Sequence, residues 1–195
     1  MISNQIFRNF RSIYNGGIVM EKKNIDWGNI GFAYMPTDMR YVANFKDGKW
    51  DEGGLTADSN VVINECAGIL QYCQECFEGL KAYRTPEGKV QLFRPDKNGA
   101  RLASTHDRLC IPEIPVEDFV EAVRALVKVE QDWVPSEPDT SLYIRPFTIA
   151  TEPVLGVKAS SQYKFIIICS PSGAYYEEGL DPVNIYVEDE YVRAT

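Results

Sequence analysis

The strongest constraint on the fold lies between Pro115 and Pro135, where Val116, Phe119, Val120, Val123, Leu126, Val127 and Trp133 fall at helical spacing on one stripe. Glu117 and Asp118 stand in the first turn, where the helix dipole favours acids, and the prolines bracket the run. A helix with one apolar stripe must cover another apolar surface. Short extended segments offer it. Tyr41-Val42-Ala43-Asn44-Phe45 turns at Asp47-Gly48 into Lys49-Trp50, and Leu80 to Arg84 turns at Thr85-Pro86-Glu87-Gly88 into Lys89 to Arg94. Later strands are expected at Ser141 to Ala150, Tyr163 to Ser170 and Val183 to Val187. Pro95-Asp96 opens a helix through Arg101, Leu102, Thr105 and Leu109, stopped by Pro112 and Pro115. Ala67, Leu70, Cys73, Phe77 and Leu80, at intervals of three and four, predict a further helix between Asn64 and Leu80. The expected fold is α/β, of the α+β type. An antiparallel-rich sheet is covered on one side by helices around 64–80, 95–109 and 116–134.

The charge balance excludes some partners. In 195 residues, 20 Lys and Arg face 28 Asp and Glu, a net charge of −8, with no clustered cations to reward a nucleic acid or an anionic membrane. The most apolar run, Phe165 to Cys169, is far short of the roughly 18 residues that a spanning helix needs. The five cysteines are odd in number and sit among apolar helix and strand residues, which indicates a reducing, cytoplasmic compartment. Residues 1–24 read as an N-terminal extension. Arg8 and Arg11 precede any acid, as in a transit peptide, but Met20 followed by Glu-Lys-Lys reads better as the natural start.

Few motifs carry chemistry by pattern alone. Cys73-Gln74-Glu75-Cys76 has no second C-x-x-C, and His106 is the one histidine, so no metal site is expected. Cys73 is expected to pack as a small hydrophobe with Cys76 beside it, and His106 to be a surface or half-buried structural residue. Gly16-Gly17 and Gly53-Gly54 read as turns, and Glu177-Glu178 and Asp189-Glu190 as solvated pairs. Two segments are harder to dismiss. Tyr143 and Arg145 share one face of a strand, where a phenol beside a guanidinium suits a carboxylate; a solvated polar face explains the pattern equally well. Arg101, about two turns into its helix, can fork onto a phosphate, although an exposed helical Arg is the commoner outcome.

Cys76-Phe77-Glu78-Gly79-Leu80-Lys81-Ala82-Tyr83-Arg84, Leu92-Phe93-Arg94-Pro95-Asp96, Ser141-Leu142-Tyr143-Ile144-Arg145-Pro146 and Thr151-Glu152-Pro153-Val154-Leu155-Gly156-Val157 closely resemble the branched-chain amino acid aminotransferases. These are pyridoxal-phosphate enzymes of fold type IV. The resemblance runs from about Ile25 to Thr195. It implies transfer of an amino group between Leu, Ile or Val and 2-oxoglutarate, with pyridoxal phosphate as electron sink, in a homodimer or larger assembly. It also implies a small N-terminal domain at 25–170, an interdomain connector at 171–180 and the first strand of a truncated large domain at 181–195. On this resemblance Arg101 holds the cofactor phosphate, Tyr143 and Arg145 orient substrate carboxylates, and Phe32, Tyr72 and Phe77 wall the aliphatic pocket. Leu155 and Val157 match a loop that closes the partner subunit's pocket. None of the chain's lysines matches the cofactor-holding lysine, so no catalytic residue is assigned and the chain alone is expected to be inactive. A stand-alone, non-catalytic binding or dimerisation domain of the same fold is the alternative. Other fold type IV enzymes fit the topology but not the segments around Tyr143 and Thr151.

Overall fold

In the computed structural model, which describes residues 25–174 and 181–192, eight strands join one sheet and every pairing is antiparallel. They are β1 (Arg40–Lys46), β2 (Lys49–Trp50), β3 (Gly54–Thr56), β4 (Glu75–Phe77), β5 (Leu80–Arg84), β6 (Val90–Leu92), β7 (Ser141–Ala150) and β8 (Tyr163–Ser172). The path runs β2-β1-β8-β7-β5-β6, with β3 added to β1 and β4 to β7. The centre is the β7–β8 pair, in register from Ser141 opposite Ser172 to Ala150 opposite Tyr163.

Side-chain alternation gives this sheet two unlike faces. Leu142 and Ile144 of β7, Phe165 and Ile167 of β8 and Tyr41 of β1 are buried in one core with Phe119, Val123 and Leu126 of α3 (Val116–Val129). Leu102 of α2 (Pro95–Arg108) joins the same core. Each such large side chain contributes about 1.5–3 kcal/mol by leaving water. Tyr143, Arg145 and Phe147 take the other face and remain half-buried. Both expected hairpins, β1–β2 and β5–β6, form, and α2 and α3 start at their prolines, but α3 ends at Val129, short of Pro135, and Gln131–Trp133 follow as a separate 3-10 turn.

The helix expected over 64–80 does not form. Only α1 (Gly68–Tyr72) is helical, and Cys73 ends it in the left-handed region at φ 52°. The chain then extends into β4, which pairs Glu75 to Phe77 with Ile149 to Phe147. Cross-strand pairing outcompetes a helical period that was never one face, since Ala67 and Leu80 are buried while Leu70, Cys73 and Phe77 are exposed. Cys73 is therefore not packed, whereas Cys76 is. His106 is fully buried, its Nε2 sharing a 3.0 Å hydrogen bond with Thr148 Oγ1 on the covered face of β7.

The end of the chain departs from expectation in two further places. Pro171 and Ser172, read as connector, are the last residues of β8. Val183 to Val187 form no strand, and all of 181–192 is exposed, because no strand among the described residues lies alongside to accept its backbone groups. The expectations for residues 1–24 and for Glu177-Glu178 lie outside the described residues. No helix among the described residues is long and apolar enough to cross a membrane.

β4 and β5 lie along β7 in a single register, Phe77 opposite Phe147 and Leu80 opposite Ile144, but the ladder breaks between them. Pro146 has no N–H to give; its carbonyl accepts from Glu78 N at 2.8 Å. This break, Glu78-Gly79, sets up the site.

Candidate functional site

Tyr143 and Arg145 leave β7 on the open face, with Ser170 and Ile168 of β8 opposite them. Arg145 Nε donates to the Tyr143 hydroxyl at 2.9 Å. Its guanidinium carbon lies 4.2 Å from the centre of the Phe77 ring and 5.2 Å from that of Tyr143. Ring quadrupoles hold a cation in such a position with about 0.5–2 kcal/mol. The two terminal guanidinium nitrogens make no hydrogen bond among the described residues. Phe32 meets the Tyr143 ring edge-on at 5.3 Å. Phe32, Tyr143 and Arg145, with Tyr34, Ile168, Cys169, Ser170 and Ser172, line a cleft of about 270 Å³.

Two close approaches shape this cleft. A Cβ at Gly79 would stand 2.8 Å from the Tyr143 hydroxyl, so the break in the β4–β5 strand is where the phenol finds room. The outer wall is the segment 30–35, strapped across the end of β8. Gly173 N donates to the Gly31 carbonyl at 3.0 Å and Met35 N to Ser170 Oγ at 2.9 Å. A Cβ at Gly173 would come within 2.1 Å of the Ile30 carbonyl oxygen, so only glycine admits the strap there.

The other expected site residues lie elsewhere. Arg101, on α2, is on the covered side of the sheet. Its Nε and Nη2 fork onto the Glu78 carboxylate, each at 2.6 Å, and Asn98 Nδ2 donates to the same carboxylate at 2.9 Å. Burial pushes the Glu78 carboxyl up, but these hydrogen bonds and the guanidinium charge outweigh it and hold it below the usual range. Arg101 and the Tyr143–Arg145 pair thus approach one strand break from opposite faces. Tyr72 stands at the end of α1, its hydroxyl donating to the Leu155 carbonyl. The loop from 151 to 158 is pinned there as well by Gly68 N on Glu152 O and Val154 N on Cys66 O. Leu155 and Val157 point outward, 77% and 84% exposed.

Two buried titratable groups stand apart from the cleft. Glu130, at the end of α3, is fully buried and accepts the Met39 N–H; burial pushes it up to about 7, with Asp38 adding to the shift. Burial pushes His106 down to about 4. A cleft of about 320 Å³ around Trp27 and Arg84 offers no free cation, because the guanidinium is taken by the carbonyls of Val134, Gly88 and Gln131.

Glu78, Gly79, Asn98 and Ser170 carry no role in the sequence pattern, yet all four make contacts that shape the site. The period-two alternation that placed Tyr143 and Arg145 on one face also puts Glu78 on the face opposite Phe77, the one covered by α2. That was the available signal.

The chain is thus a one-sided antiparallel sheet whose open face carries, among the described residues, an aromatic-walled cleft with the Arg145 guanidinium at its rim, a lining whose chemistry suits a small, partly apolar anion. Its architecture is shared with amino-acid aminotransferases of known structure. The branched-chain aminotransferase of the archaeon Thermoproteus uzoniensis, solved with norvaline, superposes with a TM-score of 0.52 at 22% identity, covering 70% of this chain and 43% of that one. A branched-chain amino acid aminotransferase solved with pyridoxamine 5′-phosphate gives a TM-score of 0.53 at 23% identity, covering 70% of this chain and 42% of that one. No protein-family model matches the chain. Sequence relatives are closer. The branched-chain-amino-acid aminotransferase of Haemophilus influenzae is 47% identical over 173 residues, 88% of this chain and 50% of the relative. Branched-chain-amino-acid transaminase 1 of Bacillus subtilis is 47% identical over 178 residues, 90% of this chain and again 50% of the relative. The chain belongs, over the half of their length that it spans, to the branched-chain aminotransferase family.

Proposed function

We propose that this chain supplies the substrate-orienting half of an enzyme that moves an amino group between branched-chain amino acids and 2-oxoglutarate. The observation that carries this reading is Arg145. It is stacked on Phe77 and oriented by Tyr143, and its two terminal nitrogens make no hydrogen bond among the described residues. One pocket must take both an aliphatic chain and an acidic one. An apolar wall with a cation at the rim does so, because the guanidinium meets the second carboxylate of 2-oxoglutarate and is bypassed by a leucine side chain.

Pyridoxal phosphate is the cofactor of this reading, and when bound it supplies the electron sink for amino transfer. The donor set fits its phosphate end: Arg101 is held by a buried acid and keeps 67% of its side-chain surface open. Tyr143 and Arg145 align the substrate, Phe32, Tyr72 and Phe77 exclude water from its aliphatic part, and Leu155 and Val157 cap the pocket of a second copy in a homodimer. Residues 25–172 make the small domain, 173–180 the connector, and 181–195 lead into a larger domain. None of the residues lining the cleft is a lysine. On the resemblance none of the chain's lysines matches the cofactor-holding position, and this reading makes the chain alone inactive.

The test is affinity for two 2-oxo acids, followed by nuclear magnetic resonance on the 195-residue chain. Arg145→Met should weaken 2-oxoglutarate by about 10- to 150-fold, the worth of one charge-assisted contact of about 1.5–3 kcal/mol. It should alter 4-methyl-2-oxopentanoate far less. Equal losses for the two acids would sink the proposed role of Arg145.

A further inference from the structure

Glu78 is the fixed member of an unequal pair. Its carboxylate is 4% exposed and receives three donors, two from Arg101 and one from Asn98. Asn98 also reaches the Gly79 carbonyl at 3.2 Å, so side chain and backbone at this break are fastened to the same helix. The guanidinium, by contrast, stands mostly in solvent. A planar guanidinium has five N–H groups. Nε and one hydrogen of Nη2 are spent on Glu78, and the remaining edge, both hydrogens of Nη1 with the second of Nη2, faces away from the acid. That edge is itself a fork of the geometry that a phosphate accepts.

We propose that Glu78 is a positioning residue that locks Arg101 so that its Nη1–Nη2 edge is presented to the phosphate of the cofactor. This rests on the reading of Arg101 given above. An exposed arginine without such a partner samples many rotamers and must be immobilised when the anion arrives; here the immobilisation is built into the fold. The lock also sits beside the other half of the site. Glu78 is bonded to Gly79, against which the Tyr143 hydroxyl is seated. One dipeptide therefore fixes the distance between phosphate clamp and carboxylate anchor across the thickness of the sheet.

The experiment compares pyridoxamine 5′-phosphate with pyridoxamine as ligands of the 195-residue chain, followed by nuclear magnetic resonance with the Arg101 Nε–H signal resolved. The phosphorylated ligand should bind more tightly, and Arg101→Met should erase that margin. Glu78→Gln should reduce it at least tenfold while leaving pyridoxamine itself unaffected. In the unmutated chain the Nε–H signal should be protected from exchange both before and after the ligand binds, since the lock is retained. A margin unchanged in Glu78→Gln but lost in Arg101→Met overturns the inference and leaves the phosphate reading standing. Loss of Nε–H protection on binding overturns it too, and that measurement decides the matter if Glu78→Gln does not fold. No margin for the unmutated chain, or no effect of Arg101→Met, removes the phosphate reading itself.

Discussion

Strand β7 presents two faces made from alternate residues of one decapeptide. Leu142 and Ile144 are completely buried beneath the helices, while Tyr143 and Arg145, on the same backbone, line an open cleft. The covered face makes the fold stable, and its side chains interlock with little tolerance for lost volume. The open face contributes little to stability and holds the Arg145 guanidinium without a carboxylate partner among the described residues. The strand thus keeps the Arg145 guanidinium in place because its other face has already secured the backbone.

The largest test of this division is Phe119→Ala against Phe77→Ala. Phe119 is fully buried, and its truncation should remove about 3–5 kcal/mol from chemical denaturation. Phe77 is 61% exposed and should lose under about 1 kcal/mol while freeing Arg145. Equal losses would mean that the open face is also core.

A second test sharpens the covered side by pH. The Glu130 carboxyl, raised from 4.5 to about 7 by burial, contributes stability that is full below pH 4.5 and lost as pH rises through about 7. His106, lowered from 6.5 to about 4, acts in reverse: its stability is full above pH 6.5 and lost as pH falls through about 4. Relative to the unmutated chain, Glu130→Gln should gain, on the order of 1–3 kcal/mol, as pH rises from 4.5 to 7, and His106→Asn should gain as pH falls from 6.5 to 4. Midpoints of urea unfolding across this range measure both. Parallel pH profiles for all three proteins would refute the assignment.

The smallest effect belongs to Tyr143→Phe. Removing a half-buried hydroxyl should change stability by less than about 0.5 kcal/mol, yet cost about two- to tenfold in 2-oxoglutarate affinity by releasing Arg145 Nε. Calorimetric titration beside thermal unfolding separates the two. A stability loss without an affinity loss would place Tyr143 with the core.

Much of this division was legible in the sequence. The stripe from Val116 to Val127 and the turn at Asp47-Gly48 are local signals that tertiary packing does not override, and alternation along Ser141 to Ala150 put Tyr143 beside Arg145. The run from Ala67 to Leu80 was not legible as helix or strand, because its apolar residues belong to a short helix and two strand segments whose pairing is with β7, far along the chain. The acid beneath Arg101 escaped for a similar reason. Glu78 and Arg101 are 23 positions apart, and nothing in their spacing brings a strand break under the second turn of α2. His106 is adjacent to charged residues yet fully buried, since which side of a short helix faces the sheet depends on a neighbour that the local pattern does not contain.

The strap across β8 has a consequence for the order of assembly. Met35 and Ser170, whose bond holds it, are 135 positions apart, and β1 lies beside β8 rather than beside β7. During synthesis β1 must therefore wait, unpaired along that edge, until β8 has been made. Contacts of such long sequence separation close late. The hairpin of β5 and β6 and the α2–α3 pair can form beforehand, but the cleft has no outer wall until β8 arrives. The cleft is thus the last part of the described sheet to close, and a nascent or internally shortened chain can carry the β5–β6 hairpin and the helix pair while its cleft still lacks a wall.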